Sequence, residues 1–98
     1  MFINVIRSHR DIVAICDKEL IGKKFEENLL QLDVKESFYK GEEVSKEKAL
    51  EILRNMKKED ATFNIVGKKS IETAKEAEII TEDLIGKVQN IPFALLLI

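Results

Sequence analysis

The side chains best suited to catalysis are rare in this sequence, which holds one histidine and one cysteine. No pattern around His9 supplies both the orienting acid and the reacting group that a catalytic imidazole requires. Cys16 directly precedes Asp17, and a neighbouring carboxylate raises a thiol pKa instead of activating the thiol. One histidine and one cysteine also cannot build a tetrahedral zinc site in a monomer. We therefore predict an exposed loop histidine, a buried and unreactive cysteine, and no catalytic residue, metal or cofactor.

The segment Gly67-Lys68-Lys69-Ser70 is the one candidate for anion binding. A predicted strand ends at Gly67 and a predicted helix begins at Ser70, so helix amides and lysine charges could hold an anion there. The alternative is a glycine turn with solvated lysines, in which Ser70 is an ordinary N-cap. Gly22-Lys23-Lys24 lacks the upstream glycine and the hydroxyl residue of a phosphate-binding P-loop.

The charge balance argues against a nucleic-acid-binding protein without excluding one. The chain has 16 basic and 18 acidic residues and a net charge of −2. Proteins that bind nucleic acid usually carry a basic excess, because phosphate neutralisation supplies most of their non-specific affinity. Three lysine pairs, Lys23-Lys24, Lys57-Lys58 and Lys68-Lys69, could converge on RNA, but scattered surface charge is the commoner outcome. RNA is therefore a possible partner that we do not favour.

Composition and length predict one globular domain, residues 1–98. Hydrophobic residues make up 45% and charged residues 35% of the chain. No apolar run is long enough to span a bilayer, and the N-terminus lacks the pattern of a signal peptide. A single cysteine suits a reducing cytosol, so we expect a cytoplasmic protein without membrane contact. The lysine- and glutamate-rich usage also fits a thermophilic source, although AT-rich codons give the same pattern.

The periodicity of apolar residues predicts both strands and helices. A helix from Ser45 to Lys58 should bury Leu50, Leu53 and Met56, and a second one should run from Ser70 to Glu78. Asp17 to Lys23 is predicted as a helical turn and Phe38 to Gly41 as a turn. The predicted strands are residues 2–7, 11–17, 29–34, 63–66, 84–88 and 91–98. Together they indicate an α+β, two-layer fold: a small mixed sheet with two main helices packed on it.

The C-terminal segment Ile91 to Ile98 contains no charged side chain. Such a segment is typical of a strand that is covered on both faces, or of an edge strand that a second copy covers. We favour a central strand, because a small domain needs every apolar strand for one core. A homodimer through this strand is the main alternative.

Three segments give the chain a resemblance to a known family. They are residues 16–25 (Cys-Asp-Lys-Glu-Leu-Ile-Gly-Lys-Lys-Phe), residues 38–42 (Phe-Tyr-Lys-Gly-Glu) and residues 64–67 (Asn-Ile-Val-Gly). In this order and at these intervals they resemble an uncharacterised archaeal family, domain of unknown function 424, over essentially the whole chain. The family's Gly-x-Pro-His-Ala motif corresponds here to residues 90–94, Asn-Ile-Pro-Phe-Ala, so its glycine and histidine are both missing.

The resemblance implies an archaeal cytoplasmic protein with a two-layer α+β fold and no established activity. It also marks a candidate functional surface: Asp17, Glu19, Gly22, Lys23, Tyr39, Gly41, Asn64 and Gly67. Our leading hypothesis is a non-enzymatic binding or assembly module. One alternative is an RNA-associated accessory protein that uses the lysine pairs. The other is a small-molecule enzyme whose site would be formed by Asp17, Glu19, Lys23, Tyr39 and Asn64.

Overall fold

Eight strands and three helices lie within residues 1–96, the part of the chain that the structure, a computed structural model, describes. The strands are β1 Phe2–Ile6, β2 Ile12–Cys16, β3 Lys24–Glu27, β4 Leu30–Asp33, β5 Glu42–Glu43, β6 Thr62–Val66, β7 Gly86–Val88 and β8 Ile91–Leu96. The helices are α1 Glu36–Tyr39, α2 Lys46–Lys58 and α3 Lys68–Glu76. Six strands form one mixed sheet in the order β5-β1-β2-β6-β8-β7, and β3 and β4 form a separate hairpin. This confirms the predicted α+β fold.

A hairpin and a parallel strand pair form the middle of the sheet. β1 and β2 pair antiparallel with Phe2 opposite Cys16, so the predicted hairpin is present. β2 and β6 pair in parallel, with Ile12 opposite Thr62 and Cys16 opposite Val66. Parallel pairing brings the carboxyl ends of β2 and β6 to the same edge of the sheet, and the candidate site lies there.

The C-terminal strand occupies an interior position. β8 pairs with β6 through Phe93 to Leu96 and with β7 through Ile91 to Phe93, antiparallel on both sides. β8 thus lies between β6 and β7, as predicted for a central strand, but Ala94 to Leu96 have only β6 as a neighbour and Leu95 is exposed. Leu97 and Ile98 lie outside the described residues. Because β7 pairs with Ile91 to Phe93, the edge-strand arrangement expected for a homodimer does not apply to these residues, whereas Ala94 to Leu96 extend past the end of β7.

The two longer helices cover one face of the sheet. Ser45 caps α2 by accepting a hydrogen bond of 3.2 Å from the Lys48 amide, as the sequence predicts. Leu53 and Met56 are buried against the sheet, and the third residue of the predicted face, Leu50, packs against the same core while half-exposed. Strand residues of this core alternate along β1, β2 and β6, which is the period expected of a sheet with one face towards the helices.

A second cluster fills the opposite face under the β3–β4 hairpin and α1. It contains Cys16, Leu20, Leu32, Val34 and Tyr39 together with inward-facing strand residues. Two local predictions were wrong here. Phe38 and Tyr39, predicted in a turn, lie in the short helix α1, and β3, a charged strand, was not predicted. Alternation is weak in β3 because three of its four residues are exposed, so its pairing with β4 is visible only in three dimensions.

The start of the second long helix also differs from the prediction. α3 begins at Lys68, with Gly67 in the N-cap position, and Ser70 lies inside the first turn. The segment predicted as a strand from Leu84 to Val88 divides into a 3-10 turn, Glu82–Leu84, and β7. Within residues 1–96, no helix has the length and apolar character needed to cross a bilayer.

Candidate functional site

A cleft of about 310 Å³ opens at the carboxyl ends of β2 and β6. The chain leaves β2 through the 3-10 turn Lys18–Leu20 towards the β3–β4 hairpin on one face, and it leaves β6 into α3 on the other face. Adjacent parallel strands whose connections diverge in this way leave a crevice beyond their ends, and ligands bind in such crevices in open α/β sheets. The residues that line the cleft are Asp17, Glu19, Leu20, Gly67, Lys68, Lys69 and Ile91.

Asp17 forms part of the wall of the cleft and caps α3 from a distant part of the chain. Its Oδ1 accepts hydrogen bonds from the Ser70 amide at 2.8 Å and the Ser70 hydroxyl at 2.7 Å, and its Oδ2 accepts one from the Lys69 amide at 3.1 Å. The carboxylate is buried, and it meets the positive end of the helix dipole. Asp17 therefore caps the start of α3, a role that the sequence predicts for Ser70. It does not cap the 3-10 turn that follows it.

Gly67 allows this contact because it has no side chain. A Cβ at Gly67 would lie 2.3 Å from the Asp17 carboxyl carbon and 2.6 Å from both of its oxygens. The residue also has a φ of +109°, a conformation that other residues adopt only with strain. Two residues marked by the family resemblance are thus parts of one structural unit, the buried carboxylate and the glycine that admits it.

The helix-start amides are therefore engaged within the protein. The anion hypothesis requires the amides of Lys69 and Ser70, and both donate to Asp17. What Gly67-Lys68-Lys69-Ser70 contributes to the cleft is the charge of two exposed lysine side chains at its rim. Anion binding by this segment stays a prediction, and it would depend on the ammonium groups and not on these two amides.

The floor of the cleft is apolar. Leu20 is buried and Ile91 is half-buried, and both also belong to the cluster beneath the hairpin. The sequence does not single out either residue, because an aliphatic residue in a turn or strand looks like any other core residue. Only the position of Ile91 beside the ends of β2 and β6 identifies it as part of the cleft.

Three other residues marked by the resemblance stabilise the backbone around the hairpin and β1. The Gly22 amide donates to the Val34 carbonyl at 2.7 Å, and the Lys23 carbonyl accepts from the Val34 amide at 2.9 Å, which closes the base of the β3–β4 hairpin. Gly41 packs against β1, where an added Cβ would lie 2.3 Å from the Ile3 carbonyl oxygen. The Lys23 side chain is exposed and is not among the residues that line the cleft.

Tyr39 and Asn64 lie apart from the cleft. Tyr39 is buried in the cluster beneath the hairpin, and burial, with smaller contributions from Cys16 and Asp33, raises its pKa to about 12. Asn64 lies in the middle of β6, between Ala14 of β2 and Leu95 of β8. Of the five residues in the enzyme hypothesis, the structure thus brings only Asp17 and Glu19 to the cleft.

The cysteine and histidine lie where the sequence predicts them, in the core and in a loop respectively. Cys16 is fully buried at the end of β2, and burial followed by the charge of Asp17 raises its thiol pKa to about 12. His9 is exposed in the loop between β1 and β2. A thiol that stays protonated at neutral pH is a poor nucleophile, so Cys16 acts as a small core residue.

The three lysine pairs do not form one patch. The Lys57 ammonium at the end of α2 donates to the Glu78 carbonyl, just beyond the C-terminal end of α3. Lys68 and Lys69 lie at the opposite end of α3, which has nine residues and is therefore about 13 Å long. Lys68 also borders a second cleft of about 220 Å³ on the other side of the helix, where Lys75 and Glu82 form an ion pair.

Comparison with known proteins now places this α+β chain in a family. The chain belongs to the family described as protein of unknown function (DUF424), whose model matches residues 6–98. A solved structure with the same fold is that of an uncharacterized conserved protein from Methanopyrus kandleri, with a TM-score of 0.86 and 22% sequence identity. The similarity covers 97% of this chain and 88% of that one. No curated protein matches the sequence.

Proposed function

We propose that the protein is a non-enzymatic binding module of the archaeal cytoplasm, formed by one domain over residues 1–98. Its ligand site is the cleft between the turn after β2 and the start of α3. The observation that carries this proposal is that the chain leaves β2 and β6 towards opposite faces of the sheet, which opens the cleft between the two connections. At about 310 Å³ the cleft is at the small end of the range for ligand pockets, so it suits a small molecule.

The arrangement of the side chains favours binding over catalysis. A general acid or base must lie within hydrogen-bond reach of the proton that it moves. The Asp17 carboxylate already accepts three hydrogen bonds that hold α3, so using it as a base would disrupt the start of that helix. Tyr39 and Asn64 lie outside the cleft and could not assist Glu19 there. A site of this kind can hold a ligand without changing it.

The same geometry ranks the other hypotheses lower. RNA binding would require lysine pairs that converge, whereas Lys57-Lys58 and Lys68-Lys69 lie at opposite ends of the helical layer. Assembly through the C-terminal strand would require a free edge, whereas β7 already pairs with Ile91 to Phe93, and only Ala94 to Leu96 extend past the end of β7. Neither hypothesis has a structural observation comparable to the cleft.

Fragment screening by NMR tests the proposal directly. ¹⁵N-labelled protein would be titrated with small carboxylates, phosphates, amines and neutral heterocycles while amide shifts are recorded. We expect the fragments that bind to shift the amides of Glu19, Leu20, Lys69 and Ile91, since these residues line the cleft. Fragments that shift only amides elsewhere, or a complete lack of binding at millimolar concentration, would refute the proposal.

Two lysine pairs provide a matched control. The double variant Lys68→Ala, Lys69→Ala changes the rim of the cleft, whereas Lys57→Ala, Lys58→Ala removes an equal charge at the end of α2. For charged fragments, affinity should change in the first variant and be retained in the second. Equal changes in both variants would indicate a general effect of net charge and not a site at the cleft.

A further inference from the structure

The two rims of the cleft carry opposite charges. Glu19 comes from the turn after β2, and Lys68 and Lys69 come from the first turn of α3. All three side chains are exposed, and within residues 1–96 none of them forms a hydrogen bond or an ion pair. A carboxylate and two ammonium groups therefore border the same space without neutralising one another at contact distance.

The wall and floor of the cleft add two further constraints on a ligand. The Asp17 carboxylate is satisfied by three donors, so it adds negative charge to the wall while its role in capping α3 continues. Leu20 and Ile91 form the floor and offer aliphatic contact. A free anion would meet the carboxylates of Asp17 and Glu19, and a free cation would meet two lysines, so each is opposed by part of the site.

We propose that the cleft binds a small zwitterion with an aliphatic body, of about the size of an amino acid. Its acidic group pairs with Lys68 or Lys69, its ammonium group pairs with Glu19, and its body lies on Leu20 and Ile91. Only a ligand with both charges satisfies both rims at once. This inference rests on the proposed function, because it requires the cleft to be a ligand site, and it adds the chemical class of the ligand.

Three probes with a common branched aliphatic chain separate the contributions of the two charges. Leucine carries both charges, 4-methylpentanoate carries only the carboxylate, and isoamylamine carries only the ammonium group. In NMR titrations of the full chain, leucine should shift the amides of Glu19 and Ile91. It should bind about fivefold tighter than either of the other probes, which corresponds to one exposed ion pair.

Charge-removing variants assign each contact. Glu19→Gln should weaken leucine to the level of 4-methylpentanoate without weakening 4-methylpentanoate itself. The double variant Lys68→Gln, Lys69→Gln should weaken leucine to the level of isoamylamine. All three residues are exposed, so these variants should remain folded, and circular dichroism would verify this.

The possible outcomes distinguish this inference from the function on which it rests. 4-Methylpentanoate or isoamylamine binding as tightly as leucine would overturn the zwitterion and indicate a ligand of a single charge. If none of the three probes binds while other fragments occupy the cleft, this inference fails and the proposed function stands. If no fragment of any class shifts the cleft amides, both fail.

Discussion

The wall and the rim of the cleft differ in almost every physical respect, although they are adjacent in sequence. Asp17 and Gly67 are buried and in contact with each other, whereas the side chains of Glu19 and Lys69 are exposed and unpaired within residues 1–96. The wall residues hold α3 against the end of β2. The side chains of the rim residues form no hydrogen bond or ion pair within residues 1–96 that would stabilise the fold. Stability should therefore depend on the wall, and binding should depend on the rim.

This contrast gives a physical meaning to the family resemblance. Asp17, Gly22, Gly41 and Gly67 each have a steric or hydrogen-bonding role inside the fold. Residues of these types in a shared motif can therefore reflect shared architecture without shared chemistry. Glu19 is also marked by the resemblance and lines the cleft, but its contacts give it no structural role. It is therefore a better target for functional tests than the four structural residues.

The largest effect is expected from Gly67→Ala. The new Cβ would overlap the Asp17 carboxyl group, and the φ of +109° adds backbone strain, so the free energy of unfolding should fall by about 3 kcal/mol or more. Gly22→Ala is the matched control, because Gly22 also has a positive φ, +79°, but an added Cβ there meets only the Glu36 side chain at 3.9 Å. Its cost should be about 1–2 kcal/mol, the cost of a left-handed backbone alone. Urea unfolding of both variants measures the difference.

A double variant tests whether the overlap itself is the cause. In an Asp17→Ala background, Gly67→Ala no longer meets a carboxylate, so its additional cost should fall by at least about 1 kcal/mol. If Gly67→Ala costs the same in both backgrounds, or no more than Gly22→Ala in the wild type, the contact between Asp17 and Gly67 does not stabilise the wall as described.

An intermediate effect on stability is expected at alkaline pH, because the thiol of Cys16 and the hydroxyl of Tyr39 are buried next to the wall. The pKa of Cys16 is raised from 9.0 to about 12 and that of Tyr39 from 10.0 to about 12. Above pH 9 the unfolded chain therefore loses protons that the folded protein retains, and stability falls as pH rises towards 12. Each group contributes a slope of about 1.4 kcal/mol per pH unit once the pH exceeds its unfolded pKa.

Urea unfolding at pH 8 and at pH 10.5 measures this loss, which should be about 2 kcal/mol or more. Cys16→Ala should remove most of it, because the thiol has the lower unfolded pKa and titrates through more of the interval. An equal loss in the wild type and in Cys16→Ala would mean that other groups account for the alkaline slope.

The smallest effect is expected at the rim. Glu19→Gln, Lys68→Gln and Lys69→Gln should each change the free energy of unfolding by less than about 0.5 kcal/mol, as is usual for exposed sites without specific contacts. Thermal and urea unfolding provide the measurement. A loss above about 1 kcal/mol at any of these positions would show that the rim supports the fold, and the distinction between wall and rim would fail there.

Much of the architecture follows from local patterns. Ser45 and the apolar spacing of Leu53 and Met56 define α2, because a cap and a helical stripe are encoded within a few residues. The β1–β2 hairpin follows from two β-branched runs separated by a polar loop. The uncharged stretch after Asn90 predicts a strand in the interior of the sheet, and β8 lies between β6 and β7 in the strand order.

The sequence by itself thus determined the α+β class, the longest helix, the presence of a strand after Asn90 and the inert Cys16, because each depends on patterns within a few residues. The tertiary structure alone decided that Asp17 caps a helix 52 residues away, that Ile91 forms part of a cleft, and that Tyr39 and Asn64 lie elsewhere. The physical reason is strand order. The parallel pairing of β2 with β6 joins segments that are distant along the chain, and no local periodicity records which strands become neighbours.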